Sequence, residues 1–366
     1  VLGRGLMKFM GFCLRQNNKS GIILIVVLWV LAILSVLAIG LGRNARIDLA
    51  LVKHRIGKLK TDALMWAAMN YSMNQIRMDA QNQKASVVDT VYQCGVDLQE
   101  GKTPEDIFKN VHLSDGSFDI SYLINDLSSA GGVCYGFQDE ERRININAIG
   151  KNNYRILAYL FLLVGVPDPQ AEMLAAEIVD WHDADSEKVS ASYGAETGDY
   201  LSSPKPYGCK NLPFENIEEL LLVKDMTKDI FDKIKDYVTV FPQAETSLKV
   251  NINTAPEIVL KSVFYFLVEQ GSGLEIRDAD NAIKKIILYR SGDDGRWCTR
   301  DDNPLSGGNY GFLSPSEQLL CNSSYFTESS EYFRVDAKGA DDQYKVSSQV
   351  EMIINKDLKL FSWKQK

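Results

Sequence analysis

Residues 19–42 read KSGIILIVVLWVLAILSVLAIGLG, and the twenty positions from Ile22 to Leu41 carry no charge. As an α-helix rising about 1.5 Å per residue, that run covers the roughly 30 Å hydrocarbon layer of a bilayer. It reads as a membrane segment. Arg4, Lys8, Arg15 and Lys19 precede it with no acid among the first 21 residues, and such an excess of cations keeps its end cytoplasmic. The bulk of the chain is therefore expected on the far side of the membrane. Three readings stay open for the segment. An ordinary secretory signal is cut after small residues, and Ala38-Ile39-Gly40 is a passable match. A plain uncleaved anchor needs only the apolar run. The third is a basic leader that ends in Gly directly before the apolar run and is cut on the cytoplasmic side, so that the run is kept. Lys19-Ser20-Gly21-Ile22 fits that pattern, with Gly21 and Ile22 flanking the cut.

Beyond the segment, Arg43 to Gln83 has no Pro and only one Gly, Gly57. Leu49, Leu51, Ile56, Leu59, Leu64 and Ala67 approximate a helical stripe, with Arg43, Arg46, Lys53 and Lys58 elsewhere on the surface. A single helix of roughly 60 residues reaches about 90 Å, more than any bilayer requires. A break near Gly40-Leu41-Gly42 is the competing reading.

The 366 residues carry 40 Lys and Arg against 48 Asp and Glu, a net charge of −8. Without the first 21 residues the count is 40 − 4 = 36 basic against 48 acidic, or −12. That balance speaks against a general nucleic-acid binder, whose affinity comes from neutralising phosphates. Of six cysteines, Cys13 lies in the basic segment and five lie outside it, so at least one is unpaired in a monomer. Cys298 and Cys321 bracket one loop-rich stretch and are the candidate disulfide of an exported chain, and the alternative is that all the cysteines are buried small hydrophobes.

Ser117–Leu123 and Ile144–Asn147 alternate as strands do. Tyr344, Val346, Val350, Met352 and Ile354 alternate with polar neighbours as one face of a half-buried strand, with Ile353 the exception. Tyr332–Ala337 and Leu358–Trp363 are expected beside it, around a turn at 338–342. Between these strands, 150–320 reads as mostly helical. The expected fold is α+β: a long N-terminal transmembrane helix, a small antiparallel sheet, and a large inserted all-α domain. The insert contains an echo. Ile144-Asn145-Ile146-Asn147-Ala148 recurs as Val250-Asn251-Ile252-Asn253-Thr254-Ala255, and Phe214–Leu220 as Phe312–Leu319. Two related helical units of helix-hairpin-helix or SAM-like type are expected. Such modules elsewhere bind DNA, and a membrane-tethered DNA receptor of the competence type is the competing function. Val223-Lys224-Asp225-Met226-Thr227 lacks the Gly-x-Gly that brings backbone amides to a phosphate.

Asp180, Asp183, Asp185 and Glu187 fall within eight residues, with Glu196 and Asp199 across a Gly-containing loop. Crowded carboxylates repel unless a cation sits among them, and all-oxygen ligation suits Ca²⁺. The stretch is no EF-hand, because Lys188 stands where the turn Gly belongs and Gly194 where the bidentate Glu belongs. A solvated acidic loop is the alternative, and it is the preferred reading for Asp293-Asp294 and Asp301-Asp302. His54, His112 and His182 form no HExxH or similar spacing, and neither a G-x-S-x-G elbow nor a phosphate-cradling loop is present. Catalysis is not expected.

The junction at Gly21, the Asn-Ile-Asn-Ala start of the insert, Asp180-Trp181-His182-Asp183-Ala184-Asp185, Gly194-Ala195-Glu196, Tyr200, Pro206-Tyr207, Asn211-Leu212-Pro213-Phe214, Glu218-Glu219-Leu220 and Val250–Pro256 together resemble the minor pseudopilin K family of type II secretion. The resemblance implies a leader 1–21 removed by a prepilin peptidase, and a long helix 22–83 with its membrane segment at 22–41. It implies a pilin-like head from 84–147 and 322–366, and an insert 148–321 in two parts, about 148–241 and 250–321. It also implies calcium at the acidic loop, a location in the bacterial inner membrane with a periplasmic bulk, and no enzymatic activity. The implied partners are the H, I and J types of minor pseudopilin, the inner-membrane secretion platform and secreted substrates, with no nucleic acid. One departure from the wider pilin pattern carries information. The fifth residue after the cut is Val26, where most pilins have the Glu that neutralises a neighbour's N-terminal amine in apolar surroundings. A subunit without that carboxylate suits the tip of a fibre better than its repeating body.

Overall fold

A computed structural model of the chain describes residues 19–82, 88–99, 101–113, 116–124, 132–190, 192–202, 205–243 and 247–366. The leader up to residue 18 lies outside the described residues. The chain divides into two compact units, residues 1–57 and 58–366. One helix, α1 (Lys19–Gln81), runs without a break through Gly40 and Gly42. In the first unit the side chains from Gly21 to Ile56 are all exposed, and the helix is long and apolar enough to cross a membrane.

In the second unit α2 (Pro104–Phe108) starts on Thr103, whose hydroxyl accepts from the Asp106 amide while Asp106 caps in return. Strands β1 (Val111–Leu113), β2 (Gly116–Leu123), β3 (Val133–Tyr135) and β4 (Gln138–Asp139) follow. The chain then leaves the sheet for the insert and returns to it at Tyr332, so the insert splits the sheet in sequence. The insert comprises β5 (Ile144–Asn145), α3 (Arg155–Leu163), α4 (Asp168–His182), α5 (Thr197–Leu201), α6 (Lys228–Ile234), β6 (Val238–Thr239), β7 (Val250–Asn251), α7 (Glu257–Glu269), α8 (Ile276–Arg290), α9 (Pro315–Cys321) and β8 (Phe326–Thr327). The sheet ends with β9 (Tyr332–Asp341), β10 (Ser347–Asn355) and β11 (Leu360–Gln365), in the order β1-β2-β9-β10-β11, with β3 on β2 and β4 on β9. Every pairing in it is antiparallel. Strand β9 extends through the expected turn at 338–342, and the reversal falls after Asp341, where Lys345 takes a left-handed φ of 55°.

Alternation decides which face of the sheet is dry. Phe118 and Ile120 on β2, Phe333, Val335 and Ala337 on β9, and Val350, Met352 and Ile354 on β10 pack with Leu64, Met65, Ala68, Met69 and Ile76 of α1. A fully buried side chain of this size contributes about 1.5–3 kcal/mol. The helix lies so close that a Cβ on Gly339 would meet Met65 Cε at 2.5 Å, which is why a Gly interrupts the apolar alternation there. Ile353, which breaks the strand pattern, faces the other way and joins the core of the insert. The opposite face of the sheet is thus partly dry because the insert covers it.

The insert's two halves are built alike. Each opens with an Asn-x-Asn strand that pairs in parallel with a strand closing the same half, β5 with β6 and β7 with β8. Ile144–Asn147 is therefore only a two-residue strand, and Ile146–Ala148 turns into a 3-10 helix. The second Asn of each motif clamps a distant loop in both directions. Asn147 accepts from the Phe214 amide at 2.8 Å and donates to its carbonyl at 3.0 Å. Asn253 does the same with Leu305 at 2.7 and 3.0 Å. The repeated aromatic element ends in a capping box in both copies, Asn216 with Glu219 and Ser314 with Glu317. Helix α3 packs on α4 and on α7, which joins the halves into one core.

The disulfide differs from the expectation. Cys298 is bonded to Cys134 on β3, 164 residues away, while Cys321 is a buried free thiol in α9, as Cys94 is elsewhere. Closeness in sequence misled: the loop carrying Cys298 folds back onto the sheet, while α9 takes Cys321 into the core of the insert.

Candidate metal centre

Helix α4 starts at Asp168 with Pro169 in its first turn, buries Ala171, Leu174, Ala175, Ile178 and Val179, and ends at His182. Its last turn carries acids where a helix already presents the negative end of its dipole. Asp180 is fully buried: Oδ1 accepts from the Val189 amide at 2.8 Å, and Oδ2 has no partner among the described residues. Asp183 caps the helix, its amide bonded to the Val179 carbonyl at 3.0 Å, and its Oδ1 is likewise buried and unpartnered. Asp185 Oδ1 accepts from the Glu187 amide, which turns the loop. The chain returns at Gly194, whose φ of +108° and close approach exclude any side chain, because a Cβ there would stand 2.1 Å from Asp180 Oδ2. Glu196 follows, buried; its carboxylate faces the Asp199 amide in the capping box of α5, and neither oxygen makes a full hydrogen bond among the described residues.

The loop thereby brings single oxygens of Asp183, Asp185 and Glu196 within 4.8 Å of one another. Burial and the charges of Asp185 and Asp180 push the Asp183 carboxyl up to about 6. Burial and then Asp180 and Asp183 push Glu196 up to about 7, and burial also raises Asp180. Each of these shifts reports a carboxylate that would be stabilised by a cation. Three of the six expected residues lie outside that group, Asp180 and two more. Asp199 is held by Lys188 at 2.9 Å and accepts from the Glu196 amide, so it braces the loop and is already neutralised. Glu187 contributes its amide to Asp185, and its carboxylate does not join the group. His182 meets the Ile149 carbonyl at 3.1 Å and packs on Phe214, outside the acidic group. Asn211, not singled out among the acids, takes a left-handed φ of 48°, donates to the Asp185 carbonyl at 3.2 Å, and leaves Oδ1 buried and unpartnered. Only its place in the Asn-Leu-Pro-Phe segment, adjoining the clamped Phe214, hinted at it.

The second acidic stretch closes on itself. Asp301 Oδ2 accepts from the amides of Asp293 and Asp294 at 2.8 and 3.0 Å, and Oδ1 from Thr299, so these acids act as loop caps.

Residues 142–243, which include this loop, match the family model for type II secretion system (T2SS) protein K. The chain is similar to the putative type II secretion system protein K of Escherichia coli strain K12, 24% identical over 221 residues that cover 56% of this chain and 64% of that protein. It is similar to the type II secretion system protein K of Aeromonas hydrophila, 26% identical over 263 residues that cover 70% of this chain and 73% of that one. In fold it matches a chain in the crystal structure of the GspK–GspI–GspJ complex from the type 2 secretion system of enterotoxigenic E. coli, with a TM-score of 0.57 at 15% identity, over 84% of this chain and 98% of that one. The alignment thus spans just under two thirds of the E. coli K12 relative. The resemblance to protein K holds in the domain match, in both relatives and in the fold.

Proposed function

We propose, from the premise that the chain is a relative of type II secretion protein K, that it is a minor pseudopilin that starts and caps the tip of the secretion pseudopilus. The observation that carries this reading is the long exposed helix of residues 21–56, apolar first and then mixed, joined in one chain to an insert of the protein K family. Exposed apolar residues on that scale call for covering by lipid and by other helices. A prepilin peptidase removes residues 1–21, and the retained helix packs with those of the H, I and J types. Val26 offers no carboxylate to a neighbour's N-terminal amine, and the insert blocks a further subunit above it. The inner-membrane platform then builds the fibre beneath, and the insert meets secreted substrates. The test is co-expression with the I and J types of the same organism. A complex of the three that survives size exclusion is expected, and a chain that elutes alone counts against the assembly.

The acidic centre fits calcium in this reading, because Asp180 Oδ2, Asp183 Oδ1 and the Glu196 carboxylate are buried without a full hydrogen bond among the described residues, and a hard divalent ion is bound by oxygen. Asp183, Asp185 and Glu196 would hold it, and the ion would supply the positive charge that lets them stay ionised together. At 100 times its dissociation constant, an ion bound only by the folded state adds about 2.7 kcal/mol. Calcium is therefore expected to raise the melting temperature of the wild type by several degrees, and to leave the Asp183→Ala/Asp185→Ala variant unmoved. Equal melting of the wild type with calcium and with chelator would sink the proposal.

A further inference from the structure

The hairpin 223–227, which lacks the Gly-x-Gly of a phosphate-binding turn, leads into α6 through its N-cap Thr227. At its bend Asp225 takes a left-handed φ of 60°, a conformation that residues other than Gly seldom adopt. The hairpin lies against α4, where Glu177 is fully buried. Neither carboxylate oxygen of Glu177 has a hydrogen-bond partner among the described residues. Three groups face it from the elements packed against α4. Lys224 Nζ stands 3.7 Å from Oε1, beyond hydrogen-bond distance, on a side chain that is 40% exposed. Asp225 brings a second carboxyl group within hydrogen-bond reach. Tyr200 of α5 is the third, and its hydroxyl accepts from the Lys224 amide at 3.1 Å.

Two ionised carboxylates so placed repel each other, and the buried one would also lack any donor, which is unfavourable. A proton on Glu177 removes both difficulties. It makes the buried group neutral, and its O–H has Asp225 as acceptor. The more exposed Asp225 keeps its charge and its pairing with Lys224 at 3.9 Å. Burial and then Asp225 push the Glu177 carboxyl up to about 8, against the pull of Lys224. The closed hairpin therefore keeps a proton that the opened one, with an ordinary carboxyl near 4.5, releases. The hold is complete below about pH 4.5, weakens as pH rises, and is lost by about pH 8.

We propose that a proton carried by Glu177 and donated to Asp225 fastens the 223–227 hairpin to α4, and that the hairpin comes free as that proton is lost. The inference depends neither on the fibre nor on the calcium reading above. The test is hydrogen–deuterium exchange of the full chain in detergent at fixed calcium, read by mass spectrometry and corrected for the intrinsic effect of pH on exchange. The reporting peptide covers 222–227, where the amides of Val223, Lys224 and Met226 are hydrogen-bonded. In the wild type its opening is expected to rise up to about tenfold per pH unit between about pH 5 and 8 and to level off above, while α7 holds steady. Glu177→Gln, which stays neutral, is expected to remove that dependence. Asp225→Asn is expected to move the levelling point to lower pH by removing a like charge, and Lys224→Gln to move it higher. Opening that ignores pH in the wild type, an unchanged dependence in Glu177→Gln, or levelling points that stay fixed or move the opposite way would overturn the proposal. The two shifts decide the matter even if Glu177→Gln does not fold.

Discussion

Glu140→Ala lowers the stability of the second unit by about 3–5 kcal/mol, the usual loss when one member of a buried ion pair is removed. Glu140 is fully buried where the sheet meets the insert. Its Oε1 accepts from Arg143 and from Arg334 on β9, both at 2.6 Å, and its Oε2 accepts from the Thr239 hydroxyl on β6 at 2.5 Å. Arg143 in turn reaches the Asp236 carbonyl of the insert at 3.1 Å. One carboxylate thus ties a sheet strand, the connecting segment and the strand that closes the insert's first half. It cannot compensate two guanidiniums equally. Burial and then Arg334 lower Arg143 to about 10, whereas Arg334, which also faces Glu351 at 3.6 Å, is raised despite its burial. Alanine leaves both cations buried and Thr239 without its acceptor. Chemical denaturation of the wild type and variant checks the figure, and a loss below about 1 kcal/mol would mean that water replaces the carboxylate without penalty.

The same residue sets an acid limb. Burial works against ionisation of Glu140, but Arg334 and Arg143 outweigh it and lower the carboxyl from 4.5 to about 2. A depressed carboxyl stabilises the fold above its unfolded value and loses that contribution as pH falls through the folded one. Stability from Glu140 is therefore intact above about pH 4.5 and lost toward pH 2. The Glu140→Gln variant should show a shallower decline over that window.

Removing the Cys134–Cys298 bond is the second large effect. The bond closes a loop of 164 residues, which includes most of the insert. By the chain-entropy estimate, closing a loop of that size restricts the unfolded chain by up to about 5 kcal/mol, and measured losses run about 2–5. Cys134→Ser with Cys298→Ser avoids stray thiols, and the double variant should match the reduced wild type in denaturation. Peptide mapping of the unreduced chain should yield a peptide pair joined at these two residues, with Cys321 recovered as a thiol. A pair joined at Cys298 and Cys321 would refute the assignment and with it the placement of the 291–303 loop against β3.

Local rules carried the reading wherever structure is local. The uncharged run from Ile22, the Pro-free stretch behind it and the alternation of β2 and β10 each depend on a few neighbouring residues, and each formed the expected element, although β10 begins at Ser347 and leaves Tyr344 and Val346 outside it. The duplicated Asn-Ile-Asn was legible because both copies serve one purpose, an Asn that clamps a loop from inside. What stayed hidden depends on chain return. Nothing near Cys298 points to Cys134. Ile353 reads as an exception in a half-wet strand until the core of the insert takes it in. At the acidic loop six carboxylates stand close in sequence, but only three converge, because Lys188 claims Asp199, the Val189 amide takes an oxygen of Asp180, and Glu187 lies outside the group. Asn211 carries no charge, and what sets it apart is a left-handed backbone and an unpartnered oxygen, neither of which spacing reveals.

The central claim is that this chain is a pseudopilin, made with a leader and kept in the membrane by the helix that follows it. It is tested most directly by the intact mass and N-terminal sequence of the protein purified from membranes of cells that contain a prepilin peptidase. The account predicts a mature chain that begins at Ile22. A chain that retains residues 1–21, or one that begins beyond Ala38, would contradict it and would favour a tethered binding module outside any fibre.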